Sequence, residues 1–250
     1  MSRFDDVQQF ISEANRVSDM GSLRTLLEGT IETLGFDYFA LVHHVDLRRK
    51  PTDYVRLVHY PQAWAEMSFK NAYYTDDPVH AVAQRTSTPF LWSEMSRFIE
   101  MSARQKETLV QAQAAGLGEG ITVPVNIPGE YPGSCSFSTR EGKEMPYDAL
   151  PLSQFLGCFA FEAARRVVEL NKPAKPEPDL PRLSRRQIDC VILAGRGKSD
   201  RDAGQLLGIS GQTVHQHMED AKRRYGVATR QQLIVRALFD SQITFADLIH

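Results

Sequence analysis

The 250-residue chain predicts an α/β (α+β) protein in two parts: an N-terminal α-β-α sandwich with a mostly antiparallel five-stranded sheet, linked to a C-terminal four-helix domain. Three observations carry this expectation. Single cores usually fall near roughly 100 to 150 residues, so this length suits one medium and one small domain. The stretch "LNKPAKPEPDLPR", residues 170–182, holds four prolines, which remove backbone donors and fix φ, so an extended and semi-stiff linker is expected there. Charge changes across it. From Ser184 to Arg230 nine Lys or Arg face five Asp or Glu, a surplus of four in a chain of net charge −2, which leaves −6 for the rest. A small basic unit joined to a larger acidic one suggests that one part meets a polyanion. The expected boundaries are 1–169, a linker over 170–182, and 183–250.

The elements follow in order. Phe4, Val7, Phe10 and Ile11, then Leu23, Leu26, Leu27, Ile31 and Leu34, recur at three- and four-residue spacing and predict helices over 4–16 and 21–34. "FDYFALVHHV" and "DYVRLVHYP" predict strands, and "GITVPVNI" with "SCSFST" predicts a hairpin pair around a Pro/Gly turn. "ARQKETLVQAQAAGL" and "LPLSQFLGCFAFEAARRVVEL" predict helices, the first ending near Gly116 or Gly118. Beyond the linker, Ser184, Ser199, Ser210 and Thr229 stand as N-caps of four short helices, with Gly195 to Gly197 and Gly208 as stops. Short helices joined by a tight glycine-containing turn form a helix-turn-helix, whose second helix enters the major groove of DNA.

Composition excludes several classes. With 42% hydrophobic and 24% charged residues the chain matches ordinary soluble proteins rather than disordered ones. No run approaches the roughly 18 apolar residues of a membrane span, and acids come early at the N-terminus, so no membrane partner and a cytoplasmic location are expected. Cys135, Cys158 and Cys190 are widely spaced among apolar residues and are expected to be buried reduced thiols, with no CxxC pair for zinc. No phosphate-cradling or dinucleotide-binding glycine motif occurs. No cofactor, metal or catalytic residue is expected, and the chain is not expected to be an enzyme.

The segment "SGQTVHQHMEDAKRRYG", residues 210–226, raises three readings: metal site, acid/base cluster, or a helix on nucleic acid. On a helix, positions i and i+2 point about 200° apart, so His215 and His217 cannot converge on a metal. His215 and Glu219, one turn apart, share a face, while Val214, Met218 and Ala221 share another that can pack inward. His217 is then structural, and Asp220 turns elsewhere. Gln212, Thr213, His215, Gln216 and Glu219 offer donors and acceptors to base edges, and Lys222 and Arg223 reach phosphates. Lys198, Ser199 and Arg230 sit at helix starts, where backbone N–H groups favour anions. A solvated charged face on a structural bundle is the alternative.

Over about 60 residues, "LSRRQIDCVILAGRGKSDRDAGQLLGISGQTVHQHMEDAKRRYGVATRQQLIVRAL" resembles the LuxR-type helix-turn-helix of transcription regulators. Leu183, Arg186, Ala194, Gly197, Lys198, Ser199, Ala203, Leu207, Ile209, Ser210, Thr213, Val214, His217 and Arg230 sit at signature positions. Where the family usually has two glutamates, Gln187 and Asp189 stand here, and Val191 replaces a usual leucine. These changes are expected on the outer face of the first helix, where they would touch contacts made during activation.

Residues 60–92 combine Tyr60, Trp64, Phe69, Tyr73, Tyr74 and Trp92 with Asp76, Asp77 and Pro78, and hold both tryptophans of the chain. By itself this window is either core with a turn, or an apolar pocket with a few polar anchors. "HYPQAW", "DDPV", "PFLW" and "GLGEGITVPV" resemble the autoinducer-binding domain of quorum-sensing LuxR regulators, with thirteen residues from Trp64 to Asp77 and fifteen from Asp77 to Trp92. The resemblance implies an N-acyl-homoserine lactone as small-molecule autoinducer. It implies that Trp64 donates to the lactone carbonyl, Asp77 accepts from the amide N–H, and Tyr60 donates to the acyl carbonyl. Ser136 and Thr122 would support the amide end, Trp92 would pack beside the ring, and Gly120 would allow close backbone approach. Ser68 departs from the family, in which many members have an aromatic residue four positions after the tryptophan, so that wall is enlarged or repolarised. The implied protein is a quorum-sensing regulator acting as a homodimer on double-stranded promoter DNA, with RNA polymerase as a further partner. Two alternatives stand: an orphan regulator that answers another metabolite or none, and an enzyme using Asp76 and Asp77 on acyl amides, for which no nucleophile accompanies the acids.

Overall fold

A computed structural model describes residues 3–49, 53–171 and 181–249, so most of the expected linker, residues 172–180, lies outside the described residues. The chain divides into a larger unit, Met1–Ile127 with Tyr131–Pro173, and a smaller one that includes Ala174–His250.

In the larger unit, α1 (Arg3–Ala14) and α2 (Met20–Leu34) turn their apolar stripes inward, burying Val7, Phe10, Leu23, Leu27, Ile31 and Leu34. Asp19 fixes the start of α2 by accepting the Ser22 N–H at 2.9 Å, and Gly35, at φ 92°, ends it. The sheet has the order β2-β1-β5-β4-β3, with β1 Tyr38–His43, β2 Arg56–His59, β3 Phe90–Leu91, β4 Leu117–Val125 and β5 Gly133–Arg140. All neighbouring pairs are antiparallel. The edge strand β3 is only two residues long, too short for an alternating pattern, and no sequence segment was expected to supply it.

Helix α6 (Leu150–Leu170) packs with α1 and α2 on one face of the sheet. The other face meets α4 (Pro78–Ala83) and α5 (Ala103–Ala114), with α3 (Gln62–Lys70) nearby. Side chains alternate along a strand, and β4 and β5 use that period to sort their residues. Ile121, Val123, Cys135 and Phe137 enter the core under α6, while Ser134 and Ser136 face a cavity on the opposite side. Cys135 and Cys190 are buried as expected, but Cys158 is exposed, because its position on α6 turns away from the stripe formed by Leu156, Ala160 and Phe161.

The smaller unit consists of α7 (Arg185–Gly195), α8 (Asp200–Leu207), α9 (Gly211–Tyr225) and α10 (Arg230–Phe239), and a fifth short helix, α11 (Phe245–Ile249), follows the four expected. Ser184, Ser199, Ser210 and Thr229 each accept a backbone N–H three residues on, a contribution of about 1 kcal/mol apiece. Cys190, Val191, Ala203, Val214, Met218, Ala221, Leu233 and Ala237 form the core. The tight α8–α9 turn depends on Gly204, where a Cβ would meet the Ile209 carbonyl oxygen at 2.7 Å and the Gly211 nitrogen at 2.9 Å. Gln187 corrects an expectation. It is 5% exposed rather than outward, and its Oε1 accepts the Ser184 N–H at 2.9 Å, closing a capping box. Asp189 remains partly exposed and pairs with Arg186 at 4.0 Å.

Candidate functional site

A cavity of about 140 Å³ lies on the side of the sheet away from α6. Strand β1 contributes Ala40 and Val42, β2 contributes Val58, and α5 contributes Leu109 and Ala112, so much of the wall is apolar. Into it project Tyr60, Trp64, Ser68, Asp77, Trp92 and Ser136. Exposed Phe69 and Arg56 line it too, which marks the side open to solvent.

Most of these polar groups are held by a local device. Asp77 is the N-cap of α4: its Oδ1 accepts the Val79 N–H at 2.8 Å, and Pro78 follows with φ already suited to the first turn. The carboxylate is thereby oriented with Oδ2 left over, 3.9 Å from His80 Nε2. Trp64 is 7% exposed and stacks on Tyr73, ring centroids 5.8 Å apart, while its indole N–H takes no partner among the described residues. Burial, and after it the Asp77 carboxylate, pushes the Tyr60 phenol above its ordinary range, so it remains protonated and able to donate. Ser68 lines the cavity from α3.

Thr122 and Gly120 do not line the cavity; they build it from behind. Trp92 Nε1 donates to Thr122 Oγ1 at 2.9 Å, and Thr122 Oγ1 lies 2.9 Å from Ser136 Oγ, so one buried threonine orients both neighbours. A Cβ on Gly120 would come within 2.7 Å of the Trp92 ring. Asp76 turns elsewhere and accepts from Gln105 Nε2 at 3.1 Å, tying the start of α5 to this loop. Sequence reading missed three residues of this region, His44, His80 and Ser134. His44 and His80 are 36 positions apart, so only strand alternation, which places residue 44 on the face of Ala40 and Val42 and residue 134 on that of Ser136, signalled any part of it.

On the smaller unit, Gln212, Thr213, His215, Gln216 and Arg223 of α9 are exposed, and so are Lys198 and Ser199. Glu219, Lys222 and Arg230 are partly exposed. Val214, Met218 and Ala221 face inward, and His217 is partly buried. The outer face is internally paired. Asp200, at the start of α8, lies 3.1 Å from His215 Nδ1 and 3.1 Å from Arg230. Arg230 also donates to the Lys198 carbonyl at 3.2 Å, and Lys222 reaches Glu219 at 2.7 Å, which holds that carboxyl below its ordinary range. Asp220 accepts from Gln216 at 2.8 Å and pairs with Arg223. Thr213 Oγ1 is 2.8 Å from the capping Ser210 Oγ. No group of three or more His, Cys, Asp or Glu that could hold a metal occurs among the described residues. No helix among them is long and apolar enough to cross a membrane.

A polar-anchored cavity in one unit and a helix-turn-helix in the other together define a ligand-responsive DNA-binding regulator. The autoinducer-binding domain family matches residues 19–167, and the luxR family of bacterial regulatory proteins matches residues 181–237. The chain belongs to the LuxR family of transcription regulators, with an autoinducer-binding domain followed by the LuxR-type helix-turn-helix. It is 24% identical over 241 residues to the transcriptional activator AhyR of Aeromonas hydrophila, covering 94% of this chain and 90% of that one. It is 24% identical over 218 residues to the quorum-sensing regulator RhlR of Pseudomonas aeruginosa, covering 86% of each chain. A 28% match to the putative regulator y4qH of Sinorhizobium fredii spans 78% of this chain and 59% of that longer protein. The crystal structure of Escherichia coli SdiA shares the fold at TM-score 0.63 and 20% identity, covering 96% of this chain and 98% of SdiA. SdiA in complex with octanoyl-rac-glycerol superposes at TM-score 0.60 and 21% identity, covering 95% of each chain. Proteins of this family regulate transcription and are not enzymes.

Proposed function

We propose that this regulator binds an N-acyl-homoserine lactone in the cavity of its larger unit and, as a homodimer, engages a two-fold symmetric promoter site through α9. The observation that carries the reading is the meeting of Tyr60, Trp64, Asp77 and Ser136 in one largely apolar cavity. The Trp64 N–H and Tyr60 O–H are the donors for the two carbonyls of such a ligand. Asp77 Oδ2 is the acceptor for its amide N–H, with Ser136 beside it and Trp92 against the ring. A ligand without the amide leaves Asp77 unanswered at a cost of about 1–3 kcal/mol.

On DNA, Gln212, Thr213, His215, Gln216 and Glu219 take the base edges. Lys222, Arg223, Lys198, Ser199 and Arg230 take the backbone. The dimer places two such helices on half-sites one helical turn apart, in the cytoplasm and within reach of RNA polymerase. The domains run over 1–169 and 183–250, joined by the linker 170–182.

Ligand binding stabilises the folded state by RT ln(1+[L]/Kd). A thermal-shift series over acyl-homoserine lactones, with mass spectrometry of the small molecules that copurify, tests the lactone assignment. A shift with lactones supports it. A shift with monoacylglycerols alone moves the chain to the second reading, a regulator answering a non-lactone acyl metabolite, which the widened wall at Ser68 favours.

A further inference from the structure

One wall of the cavity carries polar groups that the reading above leaves without a task. Ser134 lines it and is 1% exposed to solvent. It precedes Ser136 by two residues on β5, hence lies on the same face and about 7 Å along the strand. His80 lines the same cavity. Behind them His44 stacks on His80, ring centroids 3.9 Å apart and planes 17° from parallel, and its Nε2 is 2.9 Å from Ser134 Oγ.

The protonation of His44 decides what Ser134 offers. Burial, then His80 and His43, push the His44 pKa down to about 2, so the ring is neutral and carries one N–H. Its Nδ1 is buried and without a hydrogen-bond partner. A proton on Nδ1 would be an orphaned buried donor, the rarer defect in folded proteins. A proton on Nε2 is accepted by Ser134. His44 therefore occupies an acceptor lone pair of that hydroxyl and leaves its O–H as a donor for the cavity.

We propose that Ser134, oriented by His44 and flanked by His80, is a specificity subsite for an acceptor oxygen carried part-way along the acyl chain of the ligand. It rests on the acyl-ligand reading given above. A plain alkyl chain over this wall would bury the Ser134 hydroxyl unpaired, whereas a hydroxyl or oxo oxygen there completes its bonding. The spacing along β5 sets this oxygen away from the amide held beside Ser136.

The test is isothermal titration of the full chain with four octanoyl-homoserine lactones: unsubstituted, or carrying a hydroxyl at carbon 3, 5 or 7. At least one hydroxylated ligand is expected to bind about three- to tenfold tighter than the plain chain, the increment of one net hydrogen bond. Ser134→Ala should erase that preference to within about twofold, chiefly by raising affinity for the plain ligand, since no hydroxyl is then buried unpaired. His44→Phe keeps a ring against His80 but loses the Nε2–H, and should erase the same preference, as fits a positioning residue. Equal affinity of the native chain for all four ligands overturns the subsite, and so does an equal loss for all four in Ser134→Ala. Should His44→Phe retain the preference, His44 does not orient Ser134. If none of the four binds to folded protein, the acyl-lactone reading itself fails and the subsite falls with it.

Discussion

The cavity and the outer face of α9 both gather polar side chains, and they treat them in opposite ways. In the cavity the polar groups are mostly withdrawn from water, held by helix caps, strand alternation and ring stacks, and several keep one bonding position unspent: the Trp64 N–H, Asp77 Oδ2 and the Ser134 hydroxyl. Around α9 they range from half-buried to exposed and are bonded to one another, His215 and Arg230 to Asp200 of α8, Lys222 to Glu219, Arg223 to Asp220. A buried group lacking its partner costs about 1–3 kcal/mol, so the cavity discriminates sharply between ligands. Exposed ion pairs such as Arg223–Asp220 are worth about 0–1 kcal/mol, so in the proposed reading the helix exchanges them for phosphates and bases at little loss. In the proposed reading, selectivity for the small molecule is thus set by burial, and attachment to the polyanion by readily exchanged charge.

The largest expected effect breaks the scaffold of the second region. Gly204→Ala places a Cβ against backbone that cannot yield, so α8 and α9 must separate. Loss of operator binding in a mobility-shift assay is expected, with thermal unfolding of the larger unit unchanged. In the cavity, Asp77→Asn keeps a good cap for α4 but replaces a charged acceptor. Ligand affinity should fall about ten- to a hundredfold by titration, while the unliganded melting temperature moves by only a degree or two.

Burial also predicts a pH response on the cavity side. His44 has its folded pKa lowered to about 2 from an unfolded value near 6.5. The unfolded chain therefore binds the extra proton, and the stability from neutral His44 is present above pH 6.5 and lost as pH falls below it. By pH 5.5 the loss is about 1.4 kcal/mol. Denaturant titrations at pH 7.5 and 5.5 should show it, and His44→Phe should flatten it. The smallest effect belongs to α9: Lys222→Ala should lower the salt slope of DNA binding by about 1 without changing base preference, read from affinities at three salt concentrations. His215→Ala should change base preference instead. Equal loss on all sequences for both variants would remove the distinction between reading and holding on this helix.

How far the chain could be read in advance differed between its halves for a physical reason. The smaller unit is built from local signals, a hydroxyl cap before each helix and a glycine after three of them, and the four main helices start where those residues stand. Even there one local signal was overlooked: Ser184 and Gln187 are three apart, the spacing of a capping box, so Gln187 faces inward and takes no part in an outer surface. In the larger unit the main helices and four strands follow from periodicity. Strand β3 does not, because its two residues are extended only by pairing with Ile121 and Thr122 of β4. The aromatic window yielded the residues of the cavity, but not the helices α3 and α4 that carry them, each short and without a clean apolar stripe. The His44–His80–Ser134 contact joins three distant segments and exists only after the sheet has formed.

The double attachment of Asp77 has a consequence for how such a receptor can diverge. One oxygen pins the first turn of α4 and the other stands outside that cap, 3.9 Å from His80 on the cavity wall, so replacing it by a non-capping residue frays a helix and alters the pocket at once. A lineage acquiring a new signal has little room to move there. Drift is cheaper at wall positions such as Ser68 and Ser134, where a side chain changes the shape of the chamber and no helix hangs from it.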